Sequence, residues 1–378
     1  MAGVSSIVTK DPRLGEALER GFTLPAEWYT DPSVFELEKE RIFRRFWQYV
    51  GYTEQVARPG EFLTCSLGDI PIVVLRDGEG ALRAFANVCR HRGSQIVLDA
   101  GGHRKTLQCH YHGWTWNLDG SLRNAPRWNE QPGFNKDEFP LFPVQVETWG
   151  PMIFVNPDPN AGPLSAMTGE LPQIVATTGL DLDALTFRER REYDIAANWK
   201  VVVENFNECY HCPVAHPSFS DLFDLNTYTV DTQHEWFSTQ HGSVAASAQA
   251  GEGRGLYDVS DDILRAGVRE GRFIFLWPTL MLDISPGPHN LVASQLRPLD
   301  AHRSRRTLDW FFAEGVGDDE ARGMIDFIHQ VLSEDIVLCE SVQRGLRSGF
   351  YTQGRLMVSR ENGVHHFQNL VHRVLTAE

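Results

Sequence analysis

The chain has few cysteines, no long apolar run, no repeated segment and a deficit of basic residues. Six cysteines in 378 residues do not make a disulfide scaffold, so they are read as thiols or metal ligands in a reducing compartment. The longest apolar stretches, around Phe273–Met281 and Val201–Val203, are shorter or more interrupted than the roughly 20 residues of a membrane-spanning helix. Met1–Lys10 lacks the basic start, apolar core and small-residue cleavage site of a secretory signal, and the expected setting is cytoplasmic, with no membrane anchor. With 35 basic against 50 acidic side chains the net charge is −15, which argues against nucleic acid and anionic membranes as partners. The absence of repeats and low-complexity tracts removes solenoids and arrays. Gly251-Glu252-Gly253-Arg254-Gly255 fails the G-x-G-x-x-G pattern and follows no clear strand, so nicotinamide binding is not expected in this chain.

What is present is the balance of a globular protein, 42% hydrophobic and 22% charged, with length for two domains and a small additional element. Residues 12–48 read as largely helical, opened by Pro25-Ala26-Glu27 and continued at helical period from Pro32. From Phe46 to Pro157 the texture changes to short alternating runs with turn signals at Gly68-Asp69, Asp77-Gly78, Gly101-Gly102 and Asp119-Gly120, as in a small antiparallel β domain, with Ile72–Leu75 one strand. The aperiodic stretch from Asn156 to Pro163 reads as a linker. Beyond it, Phe273–Ile284 and Thr307–Phe312 suggest sheet and Asp318–Arg347 suggests helix, an α+β second domain.

Within the β region stand Cys89-Arg90-His91-Arg92-Gly93 and Cys109-His110-Tyr111-His112-Gly113, with seventeen residues between His91 and Cys109. Two thiolates and two imidazoles can bind zinc, or a [2Fe–2S] cluster in which two histidines replace two cysteines on one iron. Structural zinc sites usually pair like with like, as C-x2-4-C or H-x3-5-H, whereas each short element here carries one Cys and one His. That spacing favours the cluster, with Cys89 and Cys109 on one iron and His91 and His112 on the other. His110 falls at the wrong offset and is read as structural.

A second group lies at Glu204, Glu208, His211 and His216. Asn198–His211 reads as a helix N-capped by Asn198 and broken by Pro213, which would put Glu204, Glu208 and His211 on one face. Two histidines and a carboxylate are the usual ligands of a dioxygen-activating iron(II). The distant carboxylate is expected at Asp335, with Glu334 as the fallback. Taken alone, His211 and His216 would more often be ordinary histidines than ligands. Cys209 and Cys212 form a C-x-x-C without the strand-to-helix context of a thioredoxin-like pair.

The segment from Glu204 to His216, the Glu334-Asp335 region with Cys339–Arg344, and the Cys/His pattern upstream resemble the α subunits of Rieske non-haem iron oxygenases, over nearly the entire chain. The resemblance implies a small antiparallel β Rieske domain at 45–157 and a catalytic α+β domain at 158–378, its central antiparallel sheet flanked by helices. An N-terminal helical segment at 1–44 would pack on the latter. It implies a [2Fe–2S] cluster on Cys89, His91, Cys109 and His112, and a mononuclear Fe(II) on His211, His216 and Asp335. Electrons would come from a separate flavin/iron–sulfur reductase, with or without a ferredoxin, and cross between chains of a head-to-tail homotrimer. Dioxygen and a small molecule would be the substrates.

By the same resemblance Glu208 stands where a carboxylate bridges donor and acceptor subunits. Aspartate is usual there, and glutamate is similar to the subgroup of homotrimeric oxygenases acting on carnitine, glycine betaine and proline betaine. Hydroxylation of such a quaternary ammonium compound, with N-demethylation, is the leading expectation, and aromatic-ring hydroxylation the alternative. Of Phe223, Tyr228, Trp236, Phe237, Tyr257, Phe273, Phe275 and Trp277 most are expected to be core, and some could form a cation–π box or equally line an aromatic-substrate pocket. A Rieske electron carrier would need no second iron and roughly 220 fewer residues, and a zinc-stabilised structural protein conflicts with the Cys/His spacing.

Overall fold

The computed structural model describes residues 7–8, 13–252 and 257–377. The Gly251–Gly255 segment therefore lies partly outside the described residues, as does most of Met1–Lys10. Packing divides the chain into two compact units, Lys39–Met167 and the chain before and after it. The irregular Asn156–Pro163 stretch lies within the first of these, which continues to Met167.

The Lys39–Met167 unit holds strands β1 (Gln48–Tyr52), β2 (Glu61–Leu67), β3 (Ile70–Arg76), β4 (Leu82–Ala86), β5 (Gly101–His103), β6 (Leu107–Gln108), β7 (Thr115–Trp116), β8 (Leu122–Asn124), β9 (Pro143–Trp149) and β10 (Met152–Asn156). Seven form a sheet in the order β1-β10-β9-β4-β3-β2-β5, and β6-β7-β8 make a smaller one. The unbroken apolar run of β3 follows from burial on both faces. Val73 and Leu75 enter a core with Cys89, Cys109 and Trp116, while Ile72 and Val74 enter another with Val50, Val56 and Ile153. Between β2 and β3, Gly68 and Asp69 both have positive φ (51° and 69°), as a two-residue hairpin turn requires. Gly101-Gly102, expected as a turn, instead pairs with Phe62 and Leu63 as part of β5. With no side chains to collide, two glycines serve as readily where another backbone approaches closely: a Cβ on Gly101 would lie 3.1 Å from the Phe62 carbonyl oxygen.

The other unit is built on seven antiparallel strands: β11 (Leu185–Ile195), β12 (Thr229–Asp231), β13 (Phe237–Gly242), β14 (Gly271–Leu276), β15 (Leu280–Ile284), β16 (Asn290–Asp300) and β17 (Arg303–Ala313), in the order β11-β17-β16-β15-β14-β13-β12. Against the sheet lies the helix Asp318–Leu346, whose buried Ala321, Met324, Ile325 and Leu332 meet Val292, Leu308, Trp310 and Phe312. Its first turn carries Asp318, Asp319 and Glu320, and Glu320 accepts from the Gly317 N–H at 2.9 Å, so both dipole and orphan amide are met. The apolar stripe at helical period runs on from Leu332 to Asp335 and the buried Cys339, which turns Asp335 inward. Among the described residues no helix is long and apolar enough to cross a membrane.

The helix at Trp199 is shorter than its sequence suggests. Asn198 caps it as expected, accepting from the Lys200 N–H at 3.0 Å. It ends at Phe206, because Asn207 turns its side chain back to the Val203 carbonyl (2.9 Å) and accepts from Ser238 (2.7 Å). Pro213 then sits in the first turn of a separate short helix, Cys212–Ala215, a position where proline lacks nothing. Glu204 therefore does not share a face with Glu208 and His211. It accepts from Tyr29 Oη (2.5 Å) and Gln368 Nε2 (3.0 Å), half-buried.

Candidate metal centres and active site

The two Cys/His loops are near copies. The Cys89 N–H donates to the Ser94 carbonyl and the Gly93 N–H to the Cys89 carbonyl. The Cys109 N–H likewise donates to Trp114 and the Gly113 N–H to Cys109, all at 2.8–3.0 Å. Gly93 and Gly113 close these turns at φ 73° and 74°, a conformation that side chains resist. Both cysteines are buried, whereas His91 and His112 are exposed with ring centroids 4.6 Å apart. His91 also stacks on Trp114 at 5.1 Å. Burial, then the neighbouring Cys109 thiol, push the Cys89 thiol up against the pull of nearby backbone N–H groups, so a bound cation would favour its thiolate. Among the described residues these four side chains do not gather their donor atoms within 4.8 Å of one another. One zinc ion would demand that. Paired thiols inside and paired imidazoles outside suit a two-iron cluster instead. His110 is exposed in the same loop.

His211, His216 and Asp335 do converge. His211 Nε2 and His216 Nε2 are 3.0 Å apart, and Asp335 Oδ1 lies 2.9 Å from the second and 3.4 Å from the first. Donors bonded to one ion at about 2.1 Å and at right angles lie about 3 Å apart. Each imidazole's other nitrogen faces a carboxylate: His211 Nδ1 meets Glu208 Oε1 at 2.5 Å and His216 Nδ1 meets Glu334 Oε2 at 2.7 Å. That sorts the two adjacent acids. Asp335 points at the donor atoms, and Glu334 holds the back of His216. Asn205 Nδ2 donates to Asp335 Oδ1 at 3.0 Å.

Burial pulls His211 down, but its bonds to Asp335 and Glu208 outweigh this and hold it at about 9. Burial pushes Asp335 up, and its bonds to the two histidines outweigh that in turn, leaving it near 2. His216 is raised for the same reason as His211. Three carboxylates around two imidazoles thus retain protons in place of a positive charge, which is the chemistry of a site for a divalent cation.

The triad opens on a cavity of about 90 Å³, small beside the roughly 300–1,000 Å³ of drug-sized sites. Of the aromatics singled out in the sequence, Tyr228 and Phe273 line it. Phe206, Phe219 and Phe327 also do. Phe223, Phe237, Phe275 and Trp277 are core. Gln240, Asp283 and Arg306 on the wall were not anticipated, although one aspartate inside the apolar run Leu280–Ile284 is a signal the sequence carries. Cys209 and Cys212 also border the cavity, joined as a disulfide rather than left as thiols. The bend between the two helices brings their Cα atoms to 5.0 Å, within bridging range.

Comparison with known proteins agrees in order and extent. Residues 182–377 match the model of the ring hydroxylating alpha subunit (catalytic domain), and residues 46–142 that of the Rieske [2Fe-2S] domain. The chain is 32% identical over 364 residues to the carnitine monooxygenase oxygenase subunit of Escherichia coli (strain K12), covering 94% of each. It is 34% identical over 395 residues to the chloroplastic choline monooxygenase of Arabidopsis thaliana, covering 99% of this chain and 88% of that one. A solved quaternary ammonium Rieske monooxygenase, reported for carnitine oxidation and inter-subunit electron transfer, superposes with TM-score 0.84 at 30% identity over 95% and 97% of the chains. Naphthalene 1,2-dioxygenase from Rhodococcus sp. shares the fold, at TM-score 0.78 and 19% identity over 97% and 99%.

Proposed function

Since the chain belongs to the ring-hydroxylating α-subunit family of Rieske oxygenases, we propose that it monooxygenates a C–H bond beside the nitrogen of a small quaternary ammonium compound. The observation that carries this is the His211/His216/Asp335 triad opening on a small cavity walled by aromatic rings and a buried carboxylate. When bound, the [2Fe–2S] cluster and Fe(II) supply electron transfer and dioxygen activation. Cys89, His91, Cys109 and His112 would hold the former, and His211, His216 and Asp335 the latter. Glu208 and Glu334 orient the two histidines through their Nδ1 atoms and fix which nitrogen faces the metal.

Tyr228, Phe219 and Phe273 offer ring faces to a methylammonium group, each worth on the order of 0.5–2 kcal/mol. Hydroxylation beside a quaternary nitrogen gives a carbinolammonium that collapses to a tertiary amine, an aldehyde and a proton, with the second oxygen atom leaving as water. Attack at an N-methyl group makes that aldehyde formaldehyde.

Electrons would come from a separate flavin/iron–sulfur reductase. Transfer across a homotrimer, from His91 or His112 of one chain through Glu208 to His211 of the next, is supported by the exposure of those Rieske histidines, by the Glu208 contact and by the solved relative. A cytoplasmic setting belongs to the same reading, and the chloroplastic relative marks the alternative. The test is anaerobic metal analysis with EPR, followed by oxygen uptake with reduced enzyme. A cluster signal, one further iron per chain and uptake coupled to an amine and an aldehyde from a betaine or choline are expected. Zinc alone, or uptake only with aromatic acids, would refute the proposal.

A further inference from the structure

The cavity wall carries two buried charges of opposite sign that do not bond to each other. Gln240, Phe273 and Asp283 stand directly opposite one another across β13, β14 and β15. Asp283 is in turn opposite Val292 of β16, and Arg306 of β17 is opposite Leu296. Because Val292 and Leu296 are four residues apart, the period of two puts Asp283 and Arg306 on the same sheet face, and both line the cavity. They are 7% and 5% exposed.

Asp283 accepts no hydrogen bond and makes no ion pair with any described side chain. Arg306 donates from Nε to Ser294 Oγ at 2.6 Å and lies 5.7 Å from the Phe206 ring centroid, with no carboxylate of the described residues within ion-pair distance. Its two terminal amino groups have no acceptor among the described residues. Burial pushes Asp283 up to about 6 against the pull of Arg306. Each charge thus has no ion-pair partner among the described residues and faces the cavity, where a bound group of opposite charge can complete it.

We propose that Asp283 and Arg306 form an opposite-charge clamp selecting a zwitterion, a quaternary ammonium group a few bonds from a carboxylate, over a quaternary amine with an uncharged tail. The ammonium lies against Asp283 and the aromatic faces, and the carboxylate takes the Arg306 amino groups. This rests on the quaternary-ammonium reading and narrows it from ammonium compounds in general to betaines. A choline-like molecule would leave the guanidinium unpaired, and a plain carboxylate would leave Asp283 unpaired.

The experiment is calorimetric titration of the reduced, anaerobic holoenzyme with a charge series of similar shape: glycine betaine and γ-butyrobetaine as zwitterions, choline as cation, 3,3-dimethylbutanoate as anion. The wild-type series needs no mutation, and a zwitterion is expected to bind at least about tenfold tighter than choline or the anion. Arg306→Gln should lose that factor for the zwitterion and leave choline unchanged or improved. Asp283→Asn should weaken zwitterion and cation but not the anion. Choline binding as tightly as either zwitterion, or both variants weakening every probe alike while retaining the Rieske EPR signal, would overturn the clamp and leave the ammonium reading standing. Failure of all ammonium probes, with aromatic acids driving oxygen uptake, would overturn both.

Discussion

At the scale of single residues, chemistry was legible where donor type and spacing constrain each other. Cys89, His91, Cys109 and His112 stand in mirrored loops because each loop must present one thiol and one imidazole through a glycine turn. Glu334 and Asp335 were harder, since both are carboxylates at adjacent positions. Only the apolar stripe of their helix tells which one faces inward, and the structure gives the other the Nδ1 of His216. This division predicts distinct losses. Asp335→Ala should abolish binding of the mononuclear iron, whereas Glu334→Ala should weaken it by about 10–100-fold, the usual effect of removing a carboxylate behind a metal-bound imidazole. Competition with a chelator measures both, with the Rieske EPR signal as an internal control. Equal losses would mean that Glu334 itself reaches the metal.

At the scale of elements, the sequence conveyed period better than termination. The two faces of β3 and the long helix Asp318–Leu346 follow from regular patterns. The end of the Trp199–Phe206 helix does not, because it depends on Ser238 reaching Asn207 from a distant strand. Misplacing that end misplaced Glu204, which lies half-buried against Tyr29 and Gln368. Burial pushes Glu204 from 4.5 up to about 7 despite those hydrogen bonds. Its folded pKa is above its unfolded one, so between these values the folded state holds a proton that the unfolded state has lost. Stability therefore falls as pH rises through that window, by at most about 1.4 kcal/mol per pH unit, and levels off above it. Glu204→Gln should flatten the dependence of Tm on pH between 5 and 7, and parallel curves for the two proteins would refute the assignment.

The same helix carries Lys200, which is fully buried and paired with the equally buried Glu38 of the helix Pro32–Glu38. Trp199 Nε1 donates to the other Glu38 oxygen at 2.8 Å. Removing one member strands the other charge, so Lys200→Met should cost about 3–5 kcal/mol, whereas Lys200→Met with Glu38→Gln should cost less than the single change. Thermal unfolding of the three proteins decides this. Nothing in the local sequence signals the pair, because its members are far apart in the chain and each looks like an ordinary surface charge.

At the scale of the whole molecule, the chain divides into a unit carrying the Cys/His loops and a unit carrying the His/His/Asp triad. How the two communicate is not written in either motif, since one sequence describes one chain and the proposed electron path joins two. That path makes a quantitative prediction. A Cys109→Ala chain keeps the triad and loses the cluster, while an Asp335→Ala chain keeps the cluster and loses the iron, so each alone should be inactive. In a trimer assembled at random from equal amounts of both, the chance that an intact cluster precedes an intact iron around the ring is about one quarter. Coexpressed chains should therefore recover about a quarter of wild-type turnover per chain. Transfer confined within each chain would leave the mixture as inactive as its components, because no single chain then holds both centres.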